Sequence, residues 1–230
     1  MRRLLTLRWI AGHLLAVTGV VAFVMFGFWQ LDRHDQKREI KEGIETAAAL
    51  PTIALEDADG IDLTYRQVVV AGEYDTGTEV LLFRALDGAS GYHVLTPLRM
   101  ADGRAIVVDR GWVPLEYDHP PVAPARPLEG ALLVSGIIWP SASGDIPETL
   151  PPVLKRVDTG VIDAFTPYPL MDTYLVLLEQ DPPAPGDLPV VAHPPEASLG
   201  PHLGYAGQWF LFALVVLVGY PILLRKTLRS

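Results

Sequence analysis

His202, Tyr205 and Trp209 stand at i, i+3 and i+7 where one long apolar stretch begins. Gln30, Arg33 and Lys37 repeat that spacing where another ends, with Trp29 beside them. On a helix, residues so spaced fall on one face. An imidazole, a phenol and an indole sharing a face offer an axial ligand for porphyrin iron and an apolar slot with a polar edge. A plainer reading uses the same residues, because Trp and Tyr settle at headgroup depth while Arg and Lys reach toward lipid phosphates. Interfacial anchoring accounts for Trp29, Arg33, Tyr205 and Trp209. It accounts less well for Gln30, whose amide needs a partner near a membrane, and it leaves His202 as either a helix cap or a ligand.

No catalytic motif accompanies these residues. The chain contains no Walker loop, no G-x-G-x-x-G after a strand, no H-E-x-x-H and no G-x-S-x-G elbow. Ser141-Ala142-Ser143-Gly144 reads as a flexible turn, and Asp57 and Asp59 read as solvated acids in a polar loop. The expectation is a protein that is not an enzyme. The absence of cysteine excludes disulfides, thiolate metal sites, covalent c-type haem attachment and copper relay through Cys-x-x-Cys.

The elements that must position these residues are written in the hydropathy. Trp9 to Leu31 is 23 residues without a charge, and Leu203 to Leu224 is 22. About 20 apolar residues at 1.5 Å each cross a bilayer, and lipid permits only a helix there. The first stretch ends in bulky Met25-Phe26-Gly27-Phe28-Trp29-Gln30, so it reads as a retained anchor and not a cleaved signal peptide. Arg225, Lys226 and Arg229 follow the second stretch, whereas no basic residue lies between Arg156 and Arg225, which places both termini in the cytoplasm. The expected organisation is a cytoplasmic tail 1–8, a transmembrane helix 9–31, an extracytoplasmic domain 32–201, a transmembrane helix 203–224 and a tail 225–230. A start almost at residue 9 leaves no mitochondrial presequence and points to a bacterial plasma membrane.

Residues 32–201 hold all 27 acidic residues and 12 of the 18 basic ones, a net charge of −15 that repels nucleic acid. Leu31–Leu50 reads as a charged continuation of the first helix, ended by Pro51. Strands are expected over Ile61–Tyr74, Glu79–Leu86, Gly91–Met100, Arg104–Val113, Ala131–Trp139 and Thr173–Glu179, with a hairpin turn at Ala101-Asp102-Gly103. Asp158–Phe165 reads as a short helix capped by Asp158 or Thr159. The predicted fold is a membrane protein whose two helices flank a mainly antiparallel β (α+β) domain, either a partly closed sheet or a small, partly closed barrel.

In order along the chain, several blocks resemble the Surfeit locus protein 1 (Shy) family of cytochrome c oxidase assembly factors. Gly27-Phe28-Trp29-Gln30-Leu31 with Arg33 and Lys37 looks like its G-x-W-Q-x-x-R-x-x-x-K signature. Gly72-Glu73-Tyr74, Gly91-Tyr92-His93-Val94-Leu95-Thr96-Pro97-Leu98 and Val108-Asp109-Arg110-Gly111-Trp112-Val113-Pro114 resemble its strand blocks. His202-Leu203-Gly204-Tyr205 with Trp209-Phe210 resembles its H-x-x-Y-x-x-x-W-[FY] opening of the second helix. The chain departs from the pattern with Asp109 in place of Asn, Trp139 where Arg is common, and Gly200 in place of an Asn that would put an amide beside His202.

The resemblance implies assembly of a haem-copper oxidase, with insertion of haem a into subunit I, and haem a as a transient cofactor bound between the two helices. It makes His202 the candidate axial ligand of the haem iron. Tyr205, Trp209, Trp29, Gln30 and Arg33 become candidates to line the site, Arg33 near a propionate. Subunit I, other oxidase assembly proteins and membrane lipid are the implied partners, and nucleic acid is not. Gly111 is expected to supply an unusual backbone geometry and Trp112 to pack against the sheet. The alternative is a scaffold that stabilises oxidase subunits without touching haem, and a third reading is a membrane-anchored extracytoplasmic enzyme using carboxylates of the β domain.

Overall fold

The computed structural model describes residues 6–58, 60–191 and 199–229; Arg2, Arg3, Asp59 and residues 192–198 of the last proline-rich segment lie outside the described residues. The elements run α1 (Leu7–Ala48), β1 (Ile53–Ala54), β2 (Gln67–Tyr74), β3 (Val80–Leu86), β4 (Ala89–Arg99), β5 (Ala105–Pro114), β6 (Leu132–Pro140), β7 (Val153–Leu154), α2 (Thr159–Asp163), β8 (Leu170–Asp181) and α3 (His202–Arg229). They form two units, one of residues 1–42 with 197–230 and the other of residues 43–196.

The first unit is an antiparallel pair made by α1 and α3. Both helices are long and apolar enough to cross a membrane. The 42 residues of α1 extend about 63 Å, so only half its length is needed for that. The rest is the charged continuation read from the sequence, with an exposed Arg38–Glu42 ion pair at 3.1 Å that contributes little. Among the shielded positions are 9, 13, 16, 20, 23, 27, 30 and 34 on α1, and 202, 206, 209, 213, 216 and 220 on α3. Alternating steps of four and three trace one seam along each helix, the spacing at which two helices interlock. The remaining faces show Val17, Val21, Leu214, Val215 and Leu217, each more than half exposed, a surface suited to lipid and costly in water.

The second unit is an eight-stranded sheet in the order β1-β2-β6-β8-β5-β4-β3-β7, and an added pairing of β2 with β4 closes β2, β6, β8, β5 and β4 into a ring. Most neighbours are antiparallel, as expected, but β1–β2, β5–β8 and β3–β7 are parallel. Alternation along β5 explains the ring. Ile106 and Val108 join Val68, Val70, Leu98, Val134 and Leu175 in one core, while Val107 joins Val80, Leu82, Leu95 and Ile162 in another. A strand buried on both faces has no room for polar alternation, hence the unbroken Ala105–Val108 run.

Four of the expected strands match the observed ones within one to two residues at each end, and β8 extends further than expected. Ile61–Arg66 is not a strand. Tyr65 takes a positive φ of 62°, Thr64 N donates to Asp62 Oδ1, and the chain turns there before entering β2. The two-residue strands β1 and β7 carry too few residues for any pattern. The short helix is as read, with Asp158 capping α2 by accepting a hydrogen bond from Val161 N at 3.3 Å.

Candidate functional site

The two helices of the first unit are clasped at both ends by an imidazole. Near the start of α3, His202 Nδ1 lies 2.8 Å from Gln30 Oε1. A carboxamide oxygen only accepts, so His202 donates through Nδ1 and its lone pair stands on Nε2. Some 26 Å along the pair by helical rise, Tyr220 Oη and His13 Nδ1 are 2.7 Å apart, their rings edge to face. The amide that Gly200 cannot supply is thus supplied by the opposite helix. Gly200 has a second consequence: at φ 61°, a Cβ placed there would lie 3.3 Å from His202 Cδ2 and Nε2. A side chain at this position would press on the Cδ2–Nε2 edge of the imidazole.

Between the clasps the seam is lined with rings and small residues. Trp209 packs against Phe23 (5.7 Å between centroids) and Phe26 (5.1 Å), and Phe212 adjoins both Phe23 and Trp209. Phe28 meets Phe210 edge to face at 5.5 Å. Ala206 and Ala213 are buried, and a Cβ on Gly27 would fall 2.6 Å from Cε1 of Phe210. Glycine at 27 is therefore what lets the helices close, which accounts for the first residue of the tryptophan–glutamine block.

The structure brings together two of the expected site residues, Gln30 and His202, and places Trp209 about two turns further along α3, against Phe23 and Phe26. Tyr205 and Trp29 do not join them: each is 49% exposed and off the seam. Arg33 sits over the Trp29 ring at 5.8 Å and donates to Gln36 Oε1, whose amide in turn donates to Asp32. Lys37 is exposed. The shared faces assumed for i, i+3 and i+7 therefore hold only in part. A step of three lags the helical turn by about 60°, and the seam steps by four first on each helix, to Ala206 and His34. His34 Nδ1 is buried and makes no hydrogen bond.

In the sheet domain, Arg110 is not a surface binding residue. It is 1% exposed and its Nη2 donates to Ala125 O at 2.6 Å. Its Nη1 lies 3.4 Å from Glu79 Oε2 and 3.5 Å from Thr96 Oγ1, and its guanidinium lies over the Tyr74 ring at 4.9 Å. Glu79 also accepts from Thr96 Oγ1 and Val122 N. Loss of water holds the Glu79 carboxyl above its ordinary range, against the hydrogen bond from Val122 and the Arg110 charge. Burial likewise lowers Arg110 and pushes Tyr74 up to about 12. This cluster ties the 122–125 loop to the ring. Its only sequence signal was a charged pair, Asp109-Arg110, inside an otherwise apolar strand. Asp109 binds His93 Nδ1 at 2.8 Å and Gly111 N at 3.2 Å. Gly111 has the expected unusual backbone, φ 124°, and Trp112 lies on the sheet with Nε1 donating to Arg84 O.

A cleft of about 580 Å³ beside β6 and β8 includes Arg110 but none of the other expected site residues. Among the described residues, no three His, Asp or Glu side chains gather to hold a metal ion.

The SURF1 family model matches residues 17–214. The chain is 28% identical over 224 residues to an uncharacterised SURF1-like protein of Mycobacterium tuberculosis, covering 92% of this chain and 81% of that one. It is similar at the same level to a SURF1-like protein of Monosiga brevicollis, covering 90% of this chain and 85% of that one. Its likeness to the Surfeit locus protein 1 of Takifugu rubripes, also 28%, covers 49% of this chain and 55% of that one.

Proposed function

The chain belongs to the SURF1 family, and on that premise we propose that it is a membrane-anchored assembly factor for a haem-copper cytochrome c oxidase, assisting insertion of haem a into subunit I. The observation that supports a direct role with haem is the 2.8 Å contact between His202 Nδ1 and Gln30 Oε1. Ligating histidines use one ring nitrogen and have the other fixed by a hydrogen bond that sets tautomer and orientation. The donor set also suits the group: an imidazole next to a glycine, where a side chain would press on its Nε2 edge, aromatic rings below it, and an arginine one turn above Trp29. In this reading His202 holds the iron, Gln30 orients the imidazole, and Arg33 meets a porphyrin carboxylate. Trp209, Trp29 and Tyr205 supply apolar surroundings. Haem supplies only an iron centre destined for the oxidase. The residues of this chain bind and orient it, and none is assigned a catalytic role.

The topology that goes with this function is a bacterial plasma membrane crossed by α1 and α3. Both termini would be cytoplasmic, and the acidic sheet domain would stand outside to contact oxidase subunits and other assembly proteins. A scaffold that never touches haem is the second reading, and the direct packing of Gly27 on Phe210 favours it. Purified wild type and His202→Ala separate the two. Lower haem content in the variant, with membrane insertion intact, is expected; equal content removes the ligand assignment. In cells lacking the protein and its paralogues, loss of the haem a signal with b- and c-type signals retained is expected. An unchanged oxidase spectrum would overturn the assembly role altogether.

A further inference from the structure

We infer that the haem lies on one lateral flank of the helix pair, over the cluster of Phe23, Phe26, Trp209 and Phe212, and not between the helices. The inference rests on the haem-binding reading above and deepens it. A planar ring needs about 3.5 Å of clearance on each face, and the seam offers none. A single added carbon at position 27 already comes within 2.6 Å of the Phe210 ring, and Ala206 and Ala213 are buried where the backbones close.

Helical spacing identifies the flank. Phe26 and Phe23 stand four and seven residues before Gln30, and Trp209 stands seven after His202, so these rings lie beneath the His202–Gln30 hydrogen bond. Phe212 adjoins the same cluster, 5.8 Å from Phe23 and 5.9 Å from Trp209. Phe26 is 49% and Phe212 39% exposed, so the cluster presents ring surface outward. The other flank carries only the Phe28–Phe210 contact. A porphyrin ligated by His202 on this flank stacks on aromatic carbon with one side and faces lipid with the other. Such a ligand leaves sideways through the bilayer, directly onto the helices of a receiving subunit, without the pair having to part.

The test is ferric haem titrated into the full-length protein in nanodiscs, read by the Soret band and by haem retained after gel filtration. Phe26→Leu combined with Phe212→Leu is expected to lower retention about tenfold, the effect of losing two ring contacts. Phe28→Leu, on the opposite flank, is expected to leave it unchanged. All of these replacements are at exposed positions and keep an apolar side chain, and circular dichroism verifies the helices. If Phe28→Leu releases haem and the double variant does not, or if neither does while His202→Ala still does, the flank assignment fails and haem binding by His202 stands. If His202→Ala retains as much haem as wild type, the underlying reading fails and takes the flank with it.

Discussion

The two units treat their buried polar groups in opposite ways. In the sheet domain, Glu79, Thr96 and Arg110 are joined in one network, with both Glu79 oxygens engaged and Arg110 bound to Ala125 O, although its Nε has no hydrogen-bond partner. In the helix pair, His202 meets one neutral partner through one nitrogen. A charge sealed from water is strongly destabilising once its counter-charge is removed. The family blocks in the two units thus differ: that around Arg110 ties a loop to the sheet, and those around Gln30 and His202 join two helices and, in the function proposed above, would hold haem.

The sharpest way to break this contrast is to remove one member of the sealed pair. Arg110→Leu is expected to destabilise the protein by about 3–5 kcal/mol, because it strands the Glu79 carboxylate. Arg110→Met combined with Glu79→Leu is expected to cost much less than either single change; thermal unfolding in detergent reads both. In the helix pair, Gln30→Leu is expected to weaken haem retention by about 10–100-fold while the protein still inserts and folds. Gln30→Glu, which keeps an acceptor for His202 Nδ1, is expected to restore most of it. Loss of folding in Gln30→Leu would show instead that both units use polar groups alike. Tyr220→Phe removes the hydrogen bond at the other clasp and is expected to weaken helix association by about 0.6–1.7 kcal/mol, measured by denaturation in mixed micelles.

The smallest effect is a pH dependence. Since burial raises the Glu79 pKa, the folded domain holds a proton there that the unfolded chain releases. The contribution of Glu79 to stability is therefore fully present below the ordinary carboxylate pKa and falls as pH rises through the raised value. Subtracting the stability profile of Glu79→Gln from that of wild type should isolate this fall. A difference that is flat with pH would mean that the carboxyl is not desolvated as described.

The sequence made the helices and most strands legible, because lipid-length apolar runs and β-branched segments bounded by Gly, Pro and Asp are local signals. Ring closure was not legible. It depends on β2 meeting β4 and on β8 lying parallel to β5, pairings set by the whole core and not by either strand. The same division holds at the site. His202 and Gln30 stood out individually as polar groups at the ends of apolar stretches, but 172 positions of chain separate them. Tyr205 was misplaced because a spacing of three or four leaves open which side of a seam a residue takes. The His13–Tyr220 contact and the Glu79–Arg110 pair escaped notice for the reason that made His202–Gln30 invisible as a pair: a sequence lists donors and acceptors without their partners.

The clasps at the two ends also make the helix pair a gauge. Because His202–Gln30 and His13–Tyr220 are fixed about 26 Å apart, neither helix slides along the other to shorten or lengthen its apolar span. A bilayer that is too thick or too thin must be met by tilting both helices together or by deforming the lipid around them, at a cost of fractions of a kcal/mol per Å. Bilayer thickness therefore acts on the pair as a whole, and a change of lipid would tilt the His202 end and its rings as one body.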